Sequence, residues 1–468
     1  MTTPEETASA AKTSDGETDV EREVRFAVVM YGGVSLAIYI NGVAQELLDM
    51  VRATATVPTE GTINTEDKKW EPLIKDPLPG ALGVYRKLGQ YLGVADKQER
   101  ADRFRQQSIS NTDPIRTRLI VDIISGTSAG GINGVFLAKA LARDQGMTGL
   151  KQLWLSEGDL GKLLNDKRSM KGVRGFDLKQ PQESLLNSKR MYYKLLEALD
   201  RMDEPTNRRA ETKDSPLVRE LDLFITSTDL DGIPLPIGLF DKVVYERRHK
   251  NVFHFRYTTE AATGTYRDDF KKEYDPFLAF AARCTSSFPF AFAPMRLCDI
   301  TDIAKAYNAN PPYGDRSAST PEWDQFFADY MRNGLFDLDL AARQKLATGQ
   351  LPGTGTIEEK LAAAKIDLRE SFRKRSFGDG GYLDNKPFSY ATSMLTRRHA
   401  DRAVDRKLLY VEPSPEHPEL TRQQVDPPDF AENVRAAVLD LPRQETIRED
   451  IDRVYERNAL LQRVGILA

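Results

Sequence analysis

Residues 119–141 constrain the fold more than any other part of the chain. Leu119 to Ile124 is a compact apolar run rich in Ile and Val, the composition of a parallel strand covered on both faces. It ends at Ser125-Gly126, and a small-residue helix follows from about Gly131 to Leu141. A buried strand passed directly into a helix is the repeating unit of α/β sheets.

Other segments repeat the alternation. Arg25 to Met30 reads as a short buried strand, turned by Gly32-Gly33. Val43, Leu47 and Val51 lie on one face of a helix over 41–52, and Val84, Leu88 and Leu92 suggest a further helix. The Thr-, Pro- and Gly-rich stretch 53–80 reads as a surface excursion. Tyr192, Leu195, Leu196 and Leu199 mark a helix over 188–202, while Leu221–Ser227 and Lys407–Val411 read as later strands. Phe253, Phe255 and Tyr257 alternate with His254 and Arg256, as in a half-buried strand. The expected fold is an α/β domain on a mainly parallel sheet, over residues 25–413. A polar insertion is expected at about 299–376, and 414–468 should be a proline-rich linker and a helical extension.

Seven acidic side chains fall within the first 23 residues, with almost nothing large and apolar, so residues 1–24 are expected to be disordered. No basic region precedes an apolar core, as a signal peptide requires. Phe26 to Gln45 carries no charge, but Tyr31, Gly32, Gly33, Ser35 and Asn41 suit a strand, a turn and a helix start better than a bilayer. The net charge of −4, with both signs interspersed, speaks against nucleic acid as partner. Two cysteines, Cys284 and Cys298, make no disulfide framework and fit a reducing, cytoplasmic setting. No His, Cys and carboxylate cluster has ligand spacing, so neither metal nor other cofactor is expected.

Between strand and helix stands Gly126-Thr127-Ser128-Ala129-Gly130. A serine alcohol is a weak nucleophile and must be presented beside a base. A sharp strand-to-helix turn lifts its hydroxyl off the sheet, and flanking glycines accommodate the crowded backbone. The helix N-terminus adds amides and a positive dipole end that favour developing negative charge. The five-residue pattern alone occurs by chance in about one chain in ten of this length; its placement between strand and helix makes Ser128 the candidate nucleophile. A packing turn is the plainer alternative, and a dinucleotide fingerprint, Gly-x-Gly-x-x-Gly, is absent here.

The base is less obvious. Of the four histidines, His249 lies in a basic cluster, His254 alternates with aromatics and His417 sits between prolines. His399, after Arg397-Arg398, could formally complete a triad in the order Ser128, Asp379, His399. Asp379 is better placed, in Phe377-Gly378-Asp379-Gly380-Gly381-Tyr382, where glycines let another segment approach; a tight turn is the plainer reading. Asn385 and Pro387 then open a helix bearing Phe388, Ala391 and Leu395.

Together these pieces resemble the patatin-like phospholipase family. Gly126, Ser128 and Gly130 match its Gly-x-Ser-x-Gly turn, and Asp379, Gly380 and Gly381 its Asp-Gly-Gly motif. Asn385 and Pro387 also fit, as does Cys284-Thr285-Ser286-Ser287-Phe288-Pro289 with Phe292-Ala293-Pro294 after it. The resemblance implies a three-layer α/β/α fold, a Ser128–Asp379 dyad without histidine or metal, and hydrolysis of acyl esters in lipids. It also implies an oxyanion hole formed by the backbone amides of Gly32, Gly33 and Val34. The family's loop carries three glycines, a basic residue and another glycine. Here it reads Gly32-Gly33-Val34-Ser35-Leu36-Ala37, as in a diverged bacterial branch. Val34 keeps an N–H, while Leu36 supplies no cation for a headgroup phosphate.

The expected activity is a lipid acyl hydrolase of phospholipase A or lysophospholipase type, working through an acyl-serine. The expected partner is a lipid or acyl-ester substrate, with peripheral contact to a membrane. Alternatives are an esterase or thioesterase on soluble substrates, and a catalytically silent lipid-binding scaffold.

Overall fold

The computed structural model describes residues 20, 22–33, 37–58, 70–75, 77–92, 102, 113–158, 160–178, 181–206, 213–307, 326, 372–395, 397–398, 400, 402–412, 427, 429–436 and 447–467. The chain divides into two compact units, one of residues 1–24, 49–120 and 400–405, the other of 25–48, 121–399 and 406–468.

In chain order the main elements are β1 (Arg22–Met30), α1 (Ala37–Thr54), β2 (Thr56–Pro58), β3 (Trp70–Pro72), α2 (Ala81–Leu92) and β4 (Thr117–Gly126). After the elbow come α3 (Ala129–Arg143), α4 (Thr148–Glu157), α5 (Ser188–Met202), β5 (Glu220–Gly238), β6 (Val243–Thr258), β7 (Arg267–Asp268) and α6 (Asp275–Thr285). The rest are α7 (Leu297–Tyr307), β8 (Phe377–Asp379), α8 (Phe388–Leu395), β9 (Ala403–Val411), α9 (Phe430–Arg435) and α10 (Arg448–Leu467).

The principal sheet has the order β7-β6-β5-β4-β1-β9, with β8 added against β5. All ten residues of β4 are buried, Arg118 and Asp122 among them, as in a central strand covered on both faces. β4 pairs parallel with β5, from Ile123 opposite Asp222 to Gly126 opposite Ile225. At the same end of the sheet, Thr127 N donates to Met30 O (3.2 Å) and Tyr31 N to Val411 O (3.1 Å). β6 returns antiparallel along β5, with a bulge between Thr228 and Ile233. The architecture is a mainly parallel α/β sheet flanked by helices, as the sequence led us to expect.

Side chains alternate across the sheet and divide two helical layers. Ile124, Leu223 and Ile225 surround Gly134 of α3. On the opposite face Ala27, Val29, Ile123 and Phe224 form a buried cluster with Phe388 and Ala391 of α8. On β6, Phe253, Phe255 and Tyr257 are buried, whereas His254 and Arg256 are only partly so.

Helix α2 forms, but Val84 and Leu88 are exposed, while Arg86 and Gln90 are buried. Arg86 donates from Nε to Ala53 O (2.6 Å) and from Nη2 to Ile74 O (2.7 Å), and these acceptors make burial of the polar face affordable. Residues 299–307, the start of the expected insertion, all belong to α7, whose Leu297, Ile300, Ile303 and Ala304 are buried. Most of the remaining insertion, and all but Val20 and Arg22–Val24 of the N-terminal segment, lie outside the described residues.

Candidate active site

Ser128 stands between β4 and α3 with φ 53° and ψ −122°. Positive φ is uncommon for any residue with a side chain, and holding one in such a sparsely populated region costs about 1–3 kcal/mol. The surrounding bonds maintain it. Thr127 Oγ1 lies 2.6 Å from Thr226 Oγ1 and donates to Asp384 O (2.8 Å), while Ser125 Oγ donates to Pro387 O (2.8 Å). Ser128 N donates to Thr285 Oγ1 (2.8 Å). The glycines of the elbow answer to space. A β-carbon on Gly130 would collide with the Met30 carbonyl, and one on Gly126 would lie 2.6 Å from Gly130 O.

Asp379 ends β8, buried to 4% exposure, and its Oδ1 accepts from Gly381 N (2.7 Å). Its own amide donates to Ser287 O (3.3 Å), and its carbonyl accepts from Thr228 Oγ1 (2.8 Å). Gly380 admits no side chain, because Thr226 occupies the space.

β5 brings the two segments together. β4 runs alongside it as far as Gly126, opposite Ile225; β8 then takes the same edge antiparallel, with Asp379 opposite Ser227. The elbow and the Asp379 loop are thus placed two residues apart along one strand, about 7 Å at ordinary strand rise.

Asn385 and Gly32 close the gap. A β-carbon on Gly32 would lie 2.6 Å from Asn385 Oδ1 and 2.9 Å from Ser128 Cβ. One on Gly381 would lie 3.0 Å from both Asn385 Oδ1 and Asp379 Oδ1. Gly32, Ser128, Asn385, Gly381 and Asp379 therefore share one small region. Gly33 adjoins it in the chain and is half-buried; Val34 lies outside the described residues.

Arg283 is fully buried, donates to Ser286 Oγ (2.9 Å) and Ser188 Oγ (3.3 Å), and lies 4.0 Å over the Phe292 ring. Burial pulls its guanidinium down to about 10, against the opposing influence of Cys284 and Asp379. Burial, and then the Asp379 charge, raise the Tyr382 phenol above its ordinary value. Lys250 Nζ lies 2.7 Å from Asp384 Oδ2.

His254 and His249 are engaged elsewhere. His254 Nε2 lies 2.5 Å from Asp222 Oδ1, and His249 Nδ1 2.8 Å from Asp229 O. His399 and His417 lie outside the described residues. No group of three or more His, Cys, Asp or Glu among the described residues is arranged to hold a metal ion. Sequence reasoning overlooked Thr226 and the Asp384 carbonyl, which pin the elbow. A threonine on an apolar strand carries no local sign of such a role, and a backbone carbonyl carries none at all.

The Ser128 elbow at the end of β4 and the Asp379 loop beside it thus sit at one end of the buried sheet. Residues 101–313 match the family model Patatin, described as patatin-like phospholipase. The match includes Ser128 and α6; Gly32 and Asp379 lie beyond its limits. The chain is similar to the uncharacterized membrane protein Rv3479 of Mycobacterium tuberculosis, at 27% identity over 398 residues. The alignment covers 85% of this chain but 28% of that protein's length. No solved structure matches. Among the described residues, no helix is long and apolar enough to cross a membrane.

Proposed function

We propose that the protein hydrolyses carboxylic esters of lipids through an acyl-serine on Ser128, with Asp379 as general base. The observation that carries this reading is the convergence of Ser128, Gly32, Asn385, Gly381 and Asp379 in one region at the end of β4. Ser128 Oγ attacks the ester carbonyl carbon and yields its proton to the Asp379 carboxylate. The tetrahedral oxyanion faces the amides of Gly32 and Gly33, joined by Val34 on the reading from sequence; each such donor contributes about 3 kcal/mol. Asp379 returns the proton to the departing alkoxide, leaving the acyl group on Ser128. Water, deprotonated by the same carboxylate, then releases the fatty acid and frees the serine. A carboxylate is a weak base, which suits esters, whose alkoxides leave more readily than amines.

The lipid substrate brings the protein into peripheral contact with a membrane surface, and two free thiols, Cys284 and Cys298, fit a cytoplasmic setting. The test is fluorophosphonate labelling with peptide mapping, alongside hydrolysis of phospholipid vesicles and of short-chain soluble esters by wild type and Ser128→Ala. Label on Ser128 and fatty acid released from vesicles by wild type alone are expected. Label on another serine overturns the assignment, turnover of short esters alone favours the soluble esterase, and no label with no turnover favours the scaffold.

A further inference from the structure

The end of α6 and the residues after it engage the backbones of both Ser128 and Asp379. Thr285 Oγ1 accepts from Ser128 N (2.8 Å), and Ser287 O, two residues later, accepts from Asp379 N (3.3 Å). Thr285 is wholly buried and lies 157 residues from Ser128 in the chain. Its fit extends to α3, where a β-carbon on Gly131 would come within 2.7 Å of Thr285 Cγ2 and 3.0 Å of Oγ1.

This bond acts where the backbone is strained. Ser128 holds φ 53°, and relaxation toward negative φ would reorient its side chain relative to the amide that Thr285 holds. Neighbouring backbone groups have main-chain partners, with Thr127 N donating to Met30 O (3.2 Å) and Ile132 N to Ser128 O (3.0 Å). At Ser128 N the partner is instead the hydroxyl of a distant helix. We propose that Thr285 is a positioning residue, whose hydroxyl holds Ser128 in the attacking conformation by accepting its amide hydrogen bond. The catalytic part of this inference rests on the Ser128–Asp379 reading; the support of the strained backbone does not.

The test compares Thr285→Val, which keeps the shape and removes the acceptor, with Thr285→Ser, which keeps the acceptor. Valine leaves a buried N–H without its partner. Because a small misplacement of the nucleophile is felt in the chemical step, Thr285→Val should lower kcat on a short-chain nitrophenyl ester about 10- to 100-fold. KM should stay within about twofold, since ground-state binding is untouched. Fluorophosphonate labelling should slow in step with kcat, and Thr285→Ser should recover most of both. Unchanged kcat in the valine variant, or a serine variant as impaired as valine, overturns the proposal.

Thermal unfolding supplies a readout independent of turnover. Glycine at position 128 adopts positive φ without strain, so the drop in Tm caused by Thr285→Val should be smaller in a Ser128→Gly background. An equal drop in both backgrounds overturns the coupling. If wild type is labelled elsewhere while the thermal coupling appears, the dyad fails and Thr285 stands as the support of Ser128.

Discussion

Gly32 and Ser128 are so close that a methyl group on residue 32 would lie 2.9 Å from the Ser128 β-carbon. The glycine loop after β1 is therefore in direct contact with the elbow. Gly32→Ala should displace the loop, the serine or Asn385, whose Oδ1 would lie 2.6 Å from the same methyl. We expect ester hydrolysis to fall about a hundredfold or more, with a stability loss of about 1–3 kcal/mol from overpacking. Steady-state kinetics beside urea unfolding checks both, and full activity in a folded Gly32→Ala protein would contradict the proposed oxyanion hole.

The strain at Ser128 gives a prediction of opposite sign for stability. Ser128→Ala should abolish turnover yet keep the unfavourable φ of 53°. Ser128→Gly should be equally inactive but more stable than the alanine variant by about 1 kcal/mol, less the entropy that glycine gains in the unfolded chain. Chemical denaturation of the two inactive variants measures the difference.

Asp379→Asn retains an acceptor for Gly381 N (2.7 Å) while removing the proton acceptor. Its rate should drop at least about a hundredfold, the scale of general-base catalysis, with little change in unfolding midpoint. His399→Ala and His417→Ala should keep most of the activity. A histidine variant as inactive as Ser128→Ala, and still folded, would replace the dyad by a triad.

Away from the site, Asp222 supplies a pH dependence of stability. Burial pushes its carboxyl up, but the hydrogen bond from His254 and the charge of Arg398 carry it below the ordinary 3.8. Arg398 Nη2 and His254 Nε2 each lie 2.5 Å from the carboxylate. A folded pKa below the unfolded one means that the unfolded state binds more protons in this range. The contribution is therefore full above the unfolded value and is lost as pH falls through the lower folded one. Urea midpoints of wild type should decline below about pH 4 more steeply than those of Asp222→Asn.

Much of this was legible because local chemistry and tertiary role coincide. β4 is mostly apolar because both of its faces are covered, and Gly126, Ser128 and Gly130 bracket a turn that allows little else. The burial of Arg86 and Gln90 on α2 had no sequence signal, because it depends on the carbonyls of Ala53, Ile74 and Asp113, remote acceptors with no local trace.

The same distinction governs the site. From sequence alone, Ser128 and Asp379 could be named, each from the glycines around it, since backbone crowding is a local demand. Their meeting is decided by β5, where β8 takes the edge that β4 vacates after Gly126 and sets Asp379 opposite Ser227. Strand pairing of this kind joins segments about 250 residues apart through backbone hydrogen bonds that nearly any residue can make. The strain on Ser128 likewise depends on the hydroxyl of Thr285, a residue whose sequence neighbourhood says nothing of the amide it accepts.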